Sequence, residues 1–193
     1  MPKDIKLCIL GACGVGKTCL LHRFINNQFI EKSNTIGVAF LAHNISHDLV
    51  PGGITLNIWD TAGMEQFRSI TTQYVRNADL ALVCFDPDQN TFGTAESWVR
   101  EVKEIATGCT IILVATKMDL IGKRAWIVSE SYVNSFMTDN NIKKLFKTSA
   151  KTGLNVNNLF KHIEELTIEK FLSSEDNMAD IEPEKSSHSR TCC

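Results

Sequence analysis

The chain has 193 residues, 44% of them hydrophobic and 22% charged, with a net charge of −2 and a pI near 6.2. That length suits one domain with a sizeable core plus a tail rather than two domains. The charge balance supplies no global basic field for nucleic acid, and no apolar run approaches the roughly 20 residues that span a bilayer, so the chain reads as soluble unless something is attached to it.

The first apolar run, Ile5–Leu10, reads as a strand. It leads into Gly11-Ala12-Cys13-Gly14-Val15-Gly16-Lys17-Thr18 and then into an amphipathic segment beginning near Lys17. Strand, glycine loop and helix in that order make a phosphate cradle. Successive backbone N–H groups turn inward, the helix N-terminus adds partial positive charge, and glycine lets the backbone approach the anion. In this cradle, which takes in Cys13, Gly14, Val15, Gly16, Lys17, Thr18 and Cys19, Lys17 would reach the β- and γ-phosphates. Thr18 would offer its hydroxyl to a Mg²⁺ that keeps water and nucleotide oxygens as its other ligands.

Leu20, Leu21, Phe24 and Ile25 then fall on one helical face, and Asn26-Asn27 marks its end. Val38–Ser46 and Ile54–Trp59 flank Pro51-Gly52-Gly53 and are expected to form an antiparallel hairpin across that turn. Ala78–Phe85 and Thr110–Ala115 are nearly continuously apolar, as buried parallel strands should be. Helical stripes follow at Phe92, Ala95, Val99, Val102 and Ala106, and at Leu159, Phe160, Ile163 and Leu166. Strands alternating with helices imply an α/β sheet, mostly parallel with one antiparallel edge and helices on both faces. From Ser173 the composition turns polar and acidic, which predicts a flexible tail over 173–193 ending Thr191-Cys192-Cys193. Cys8, Cys13, Cys19, Cys84 and Cys109 are scattered singly without metal-ligand spacing, which fits reduced intracellular thiols.

Two further clusters carry chemistry. At the end of the hairpin's second strand, Trp59-Asp60-Thr61-Ala62-Gly63-Met64 sets a carboxylate after apolar residues. Asp60 would hold Mg²⁺ with Thr18. Thr35, in the polar loop before Gly37, would complete the metal shell, and Gly63 would bring its N–H to the γ-phosphate. Both loops would then be ordered only while that phosphate is present. Thr116-Lys117-Met118-Asp119 follows the strand at Thr110–Ala115, and Lys147-Thr148-Ser149-Ala150-Lys151 precedes the last helix. Together they suggest a base pocket at strand C-terminal ends. Asp119 would accept from guanine N1–H and the 2-amino group, neither of which adenine presents there. The Ala150 N–H would serve O6, Ser149 would brace Asp119 or the loop, and the stems of Lys117 and Lys151 would cover the ring.

These stretches, together with Thr35-Ile36-Gly37, occur in the order seen in Ras-superfamily small GTPases. Ile36-Gly37-Val38-Ala39-Phe40, Trp59 to Phe67, Tyr74-Val75-Arg76-Asn77-Ala78 and the final Cys192-Cys193 resemble the Rab family more narrowly. The resemblance implies a P-loop NTPase-type small G domain over 1–172, with a six-stranded sheet and five helices. It also implies a GTP/GDP cycle with Mg²⁺ and GTP hydrolysis in a monomer that regulates vesicle traffic. The implied partners are exchange factors, GTPase-activating proteins, effectors, prenylation escort proteins and dissociation inhibitors. Phe29 would correspond to the aromatic that stacks on the base, and Phe40, Trp59 and Tyr74 to an apolar effector-facing triad. Cys192-Cys193 resembles a double-geranylgeranylation site that would hold the protein on the cytosolic face of intracellular membranes.

Four departures stand out, one of them a Lys17-to-Thr35 spacing one residue shorter than is usual in the family, which bears on the Phe29 assignment. Met64 occupies the position of a water-orienting glutamine beside Lys17, Thr35 and Gly63, and a thioether cannot donate a hydrogen bond, so slow intrinsic hydrolysis is expected. Cys13 puts sulfur near the γ-phosphate, and Thr116 replaces the commoner asparagine. The alternative function is a GTP-bound scaffold that does not hydrolyse; a nucleotide kinase is disfavoured by Asp119 and by the lipid-type ending.

Overall fold

A computed structural model describes residues 4–31, 35, 37–63, 68–87, 90–121 and 127–179. The apolar runs become the middle of one sheet: β1 (Ile5–Gly11), β4 (Leu80–Phe85) and β5 (Thr110–Ala115) lie side by side and parallel. On one side β3 (Val50–Thr61) runs parallel to β1, and β2 (Val38–His47) pairs antiparallel to β3. On the other side β6 (Leu145–Lys147) closes the edge, giving the order β2-β3-β1-β4-β5-β6. The fold is thus the α/β sheet that the sequence implies, five strands parallel and one antiparallel.

The central strands are apolar throughout because both faces are covered. Along β1 the pleat sends Leu7 and Ile9 to one face and Cys8 and Leu10 to the other. The first pair packs with Leu20 and Leu21 of α1 (Lys17–Asn26) and with Leu159, Phe160 and Ile163 of α5 (Val156–Ala179). The second packs with Ala95, Val99 and Val102 of α3 (Phe92–Ile105) and Val75 of α2 (Arg68–Val75), in a cluster that includes Val133 of α4 (Glu130–Asp139). Both helical stripes read from the sequence are therefore core. Ile25 is the exception on α1, 45% exposed one step past the buried face.

The hairpin turn lies elsewhere than expected. The strands reverse at Asp48-Leu49, since His47 pairs with Val50, and Pro51-Gly52-Gly53 sits inside β3. Ile45 pairs with Ile54, so three residues of β3 oppose one of β2 in a bulge where Gly52 and Gly53 take φ of 93° and 75°. Proline and paired glycines signal a turn, but they also suit a bulge at a sheet edge, where β3 has not yet met β1.

The last helix also departs from the reading. It continues past Ser173 to Ala179, where a flexible tail was expected. Extending an established helix costs little per residue, so polar composition alone does not end one.

α2 is latched to α3. Arg68 donates through Nη2 to Ser97 Oγ (2.6 Å) and through Nη2 and Nε to Glu101 Oε2 (2.6 and 3.1 Å), with its guanidinium 4.6 Å above the Trp98 ring. Thr72 donates to the other Glu101 oxygen. Removing the fork in Arg68→Ala is expected to cost about 1–2 kcal/mol, a thermal midpoint several degrees lower at fixed GDP concentration. An unchanged melting curve would show that the latch adds nothing.

Candidate functional site

β1 ends at Gly11, where φ is 139° and a Cβ would overlap the Cys84 carbonyl oxygen, so the chain leaves the sheet against β4. The loop then turns through Gly14 and Gly16 at φ of 74° and 100°, and α1 begins at Lys17 with no side chain capping it and no acidic residue in its first turn. Its first N–H groups face the loop, an arrangement suited to an anion. Lys17 is 6% exposed, and its ammonium donates to the Gly11 and Ala12 carbonyls, both at 2.9 Å. Burial lowers its pKa, while the neighbouring Cys84, Asp60 and Cys13 push it back up.

Thr18, Thr35 and Asp60 converge although they come from α1, a loop and β3. Thr18 Oγ1 donates to Asp60 Oδ2 at 2.6 Å, which leaves Thr35 Oγ1 as the donor to Thr18 across 2.6 Å. One carboxylate and two hydroxyls are hard oxygen donors that fit Mg²⁺, which takes few protein ligands and keeps the rest for water and phosphate. Among the described residues no group of three or more His, Cys, Asp or Glu forms an all-protein cage for a metal.

Gly63 follows closely. A Cβ there would overlap the Ala12 carbonyl, so the stretch after β3 lies directly on the phosphate loop. Ala62 N–H donates to the Gly37 carbonyl at 2.8 Å, joining this stretch to the loop that carries Thr35.

Alongside, Gly14, Val15, Gly16, Cys19, Phe29, Thr116, Lys117, Asp119, Ala150 and Lys151 line one cavity of about 320 Å³. Cys13 is half-buried in the loop and is not part of that lining. Ser149 stands behind the cavity and donates from Oγ to Asp119 Oδ1 at 2.6 Å, the brace expected of it. Thr116 donates to the carbonyls of Val15 (2.7 Å) and Phe85 (3.0 Å), so its hydroxyl ties this end of the cavity to the glycine loop.

Two contributors were missed. Asp86, 1% exposed just after β4, pairs with Lys117 Nζ at 2.9 Å and fixes a lysine whose backbone sits at φ 56°. A carboxylate directly after a run of apolar residues was the available signal, the same one that marks Asp60. Arg23, in the last turn of α1, donates to the carbonyls of Ala150 (2.6 Å), Lys151 (2.7 Å) and Asn27 (2.7 Å). No local pattern in the sequence announces that contact.

Phe40, Trp59 and Tyr74 meet in a row on the outer face of β2, β3 and α2, with successive ring centroids 4.8 Å apart. Phe40 is 54% exposed. Met64, Cys192 and Cys193 lie outside the described residues. Among the described residues no helix is long and apolar enough to cross a membrane.

The Ras family model matches residues 6–169. Over 171 residues the chain is 38% identical to the putative ras-related protein Rab-5B of Dictyostelium discoideum, a match covering 88% of this chain and 78% of that relative.

Proposed function

Because this chain belongs to the Ras family and is a Rab-related small GTPase, we propose that it is a membrane-attached switch that binds GTP and GDP, hydrolyses GTP slowly and regulates vesicle traffic through effectors. The observation that carries this reading is the joining of two sites by one loop. Asp119, braced by Ser149, stands in a cavity that shares Gly14–Gly16 with the loop beneath Lys17.

Asp119 accepts from guanine N1–H and the 2-amino group, the Ala150 N–H serves O6, and Phe29 and the stems of Lys117 and Lys151 enclose the ring. Cys13 to Cys19 wrap the phosphates, with Lys17 neutralising the β- and γ-oxygens. Thr18, Thr35 and Asp60 would hold Mg²⁺, which when bound supplies further neutralisation of charge on those oxygens. The Gly63 N–H reads the γ-phosphate. Its contact with Ala12 and the Ala62–Gly37 bond pass that reading to Thr35, so both loops respond together. Phe40, Trp59 and Tyr74 form the surface on which effectors read the state. Exchange factors, activating proteins, escort proteins and dissociation inhibitors complete the cycle. The end of the chain carries two lipids on Cys192 and Cys193, and because its acidic residues give no polybasic help, both chains are needed to anchor it. Intact-mass measurement on protein from eukaryotic cells is expected to show two prenyl additions, lost in the double serine variant.

Met64 sets the rate. Without a side chain able to donate to and accept from the attacking water, intrinsic turnover stays low, and Met64→Gln is expected to raise single-turnover GTP hydrolysis about tenfold. Equal rates would contradict this role for Met64. Absence of turnover even with a Rab-type activating protein would favour the non-hydrolysing scaffold instead.

A further inference from the structure

We propose that Arg23 is a positioning residue for purine selection, acting on Asp119 through a relay of backbone and hydroxyl hydrogen bonds. The inference rests on the reading of Asp119 as the guanine acceptor. Arg23 reaches 127 residues along the chain to the loop after β6: its Nε donates to the Ala150 carbonyl at 2.6 Å and its Nη2 to the Lys151 carbonyl at 2.7 Å. A trans peptide points its N–H opposite to its C=O. Holding the Lys151 carbonyl toward α1 therefore turns the Thr152 N–H of the same peptide away, and that N–H donates to Ser149 Oγ at 3.1 Å. With one of its two lone pairs engaged there, the Ser149 hydroxyl is oriented with its proton on Asp119 Oδ1 at 2.6 Å. The Asp119 carboxylate is thus held at one oxygen by a chain that starts on the helix following the phosphate loop. The Ala150 carbonyl bond likewise sends the Lys151 N–H away from α1, and Ala150 and Lys151 both line the cavity.

Three separate guanidinium nitrogens reach the two adjacent carbonyls and, at 2.7 Å, the Asn27 carbonyl at the end of its own helix, a spread that a single ammonium nitrogen does not match. A lysine supplies the charge without the fork.

The test compares GDP with IDP, which differs by lacking the 2-amino group, so their affinity ratio reports how well Asp119 is aimed. Arg23→Gln is expected to lower the GDP/IDP ratio about three- to tenfold and Arg23→Lys to give an intermediate value. Ser149→Ala should match Arg23→Gln, and combining the two should add little, because both break one relay. A residue that merely supported the fold would weaken both nucleotides alike and leave the ratio unchanged. Asp119→Ala is the control that separates the two readings. If it leaves the ratio unchanged, the guanine assignment itself fails. If it collapses the ratio while Arg23→Gln does not, or if the Arg23 and Ser149 effects are additive, the relay is overturned. Should Arg23→Gln fail to fold, Arg23→Lys combined with Ser149→Ala carries the same comparison.

Discussion

Replacing Asp119 by asparagine is expected to weaken GDP binding by about 10²–10³-fold, or about 3–4 kcal/mol, and to improve XDP binding relative to wild type. The carboxylate offers about four lone-pair sites. The bond from Ser149 uses one on Oδ1, which leaves capacity for both guanine donors. An asparagine amide has one acceptor oxygen and an NH₂ that would confront guanine's 2-amino group, donor against donor. Xanthine carries a carbonyl at that position, so the same NH₂ gains a partner. The penalty is large because an unmatched donor pair in a half-buried pocket loses its water without gaining a bond. Competition titrations of the wild type and Asp119→Asn with GDP and XDP read the swap directly. If the variant held GDP as tightly as the wild type, Asp119 would not be the base acceptor.

Gly63→Ala is expected to cut the preference for a non-hydrolysable GTP analogue over GDP by at least about tenfold, with GDP affinity itself changing much less. The cause is steric. The added Cβ would overlap the Ala12 carbonyl, and backbone against backbone offers no flexible end that could swing away. The stretch after β3 must lift from the phosphate loop. Because Ala62 N–H is bonded to the Gly37 carbonyl, lifting it also pulls on the loop that places Thr35 beside Thr18 and Asp60. GDP lacks the phosphate that these contacts would read, so its affinity is insulated. Magnesium-dependent titrations with both nucleotides test this, and an unaltered preference would mean that Gly63 does not report on the γ-phosphate.

How far the sequence reveals the molecule depends on the distance over which each feature is determined. β5 has the bounds read from its composition, and β1 differs by one residue, because strands buried on both faces must be apolar from end to end. The phosphate loop is likewise local, since glycine spacing and the following lysine fall within a few residues. Pro51-Gly52-Gly53 misled because positive φ is needed by bulges as well as by turns, and only the pairing of Ile45 with Ile54 tells them apart. α4 escaped notice because Val133 is its one fully buried residue, too little to imprint a helical period. At the site, Thr18 bonds Asp60 and Ser149 bonds Asp119. Arg23 could not be found that way, since its partners lie at the other end of the chain and are main-chain carbonyls that no residue type marks.

The central claim is that one pocket grips a triphosphate with main-chain amides and a lysine while a carboxylate chooses the purine. Calorimetry on nucleotide-stripped protein with magnesium measures it most directly. The account predicts that GDP and GTP bind at least about 100-fold more tightly than ATP. Equal affinity for guanine and adenine nucleotides would contradict it.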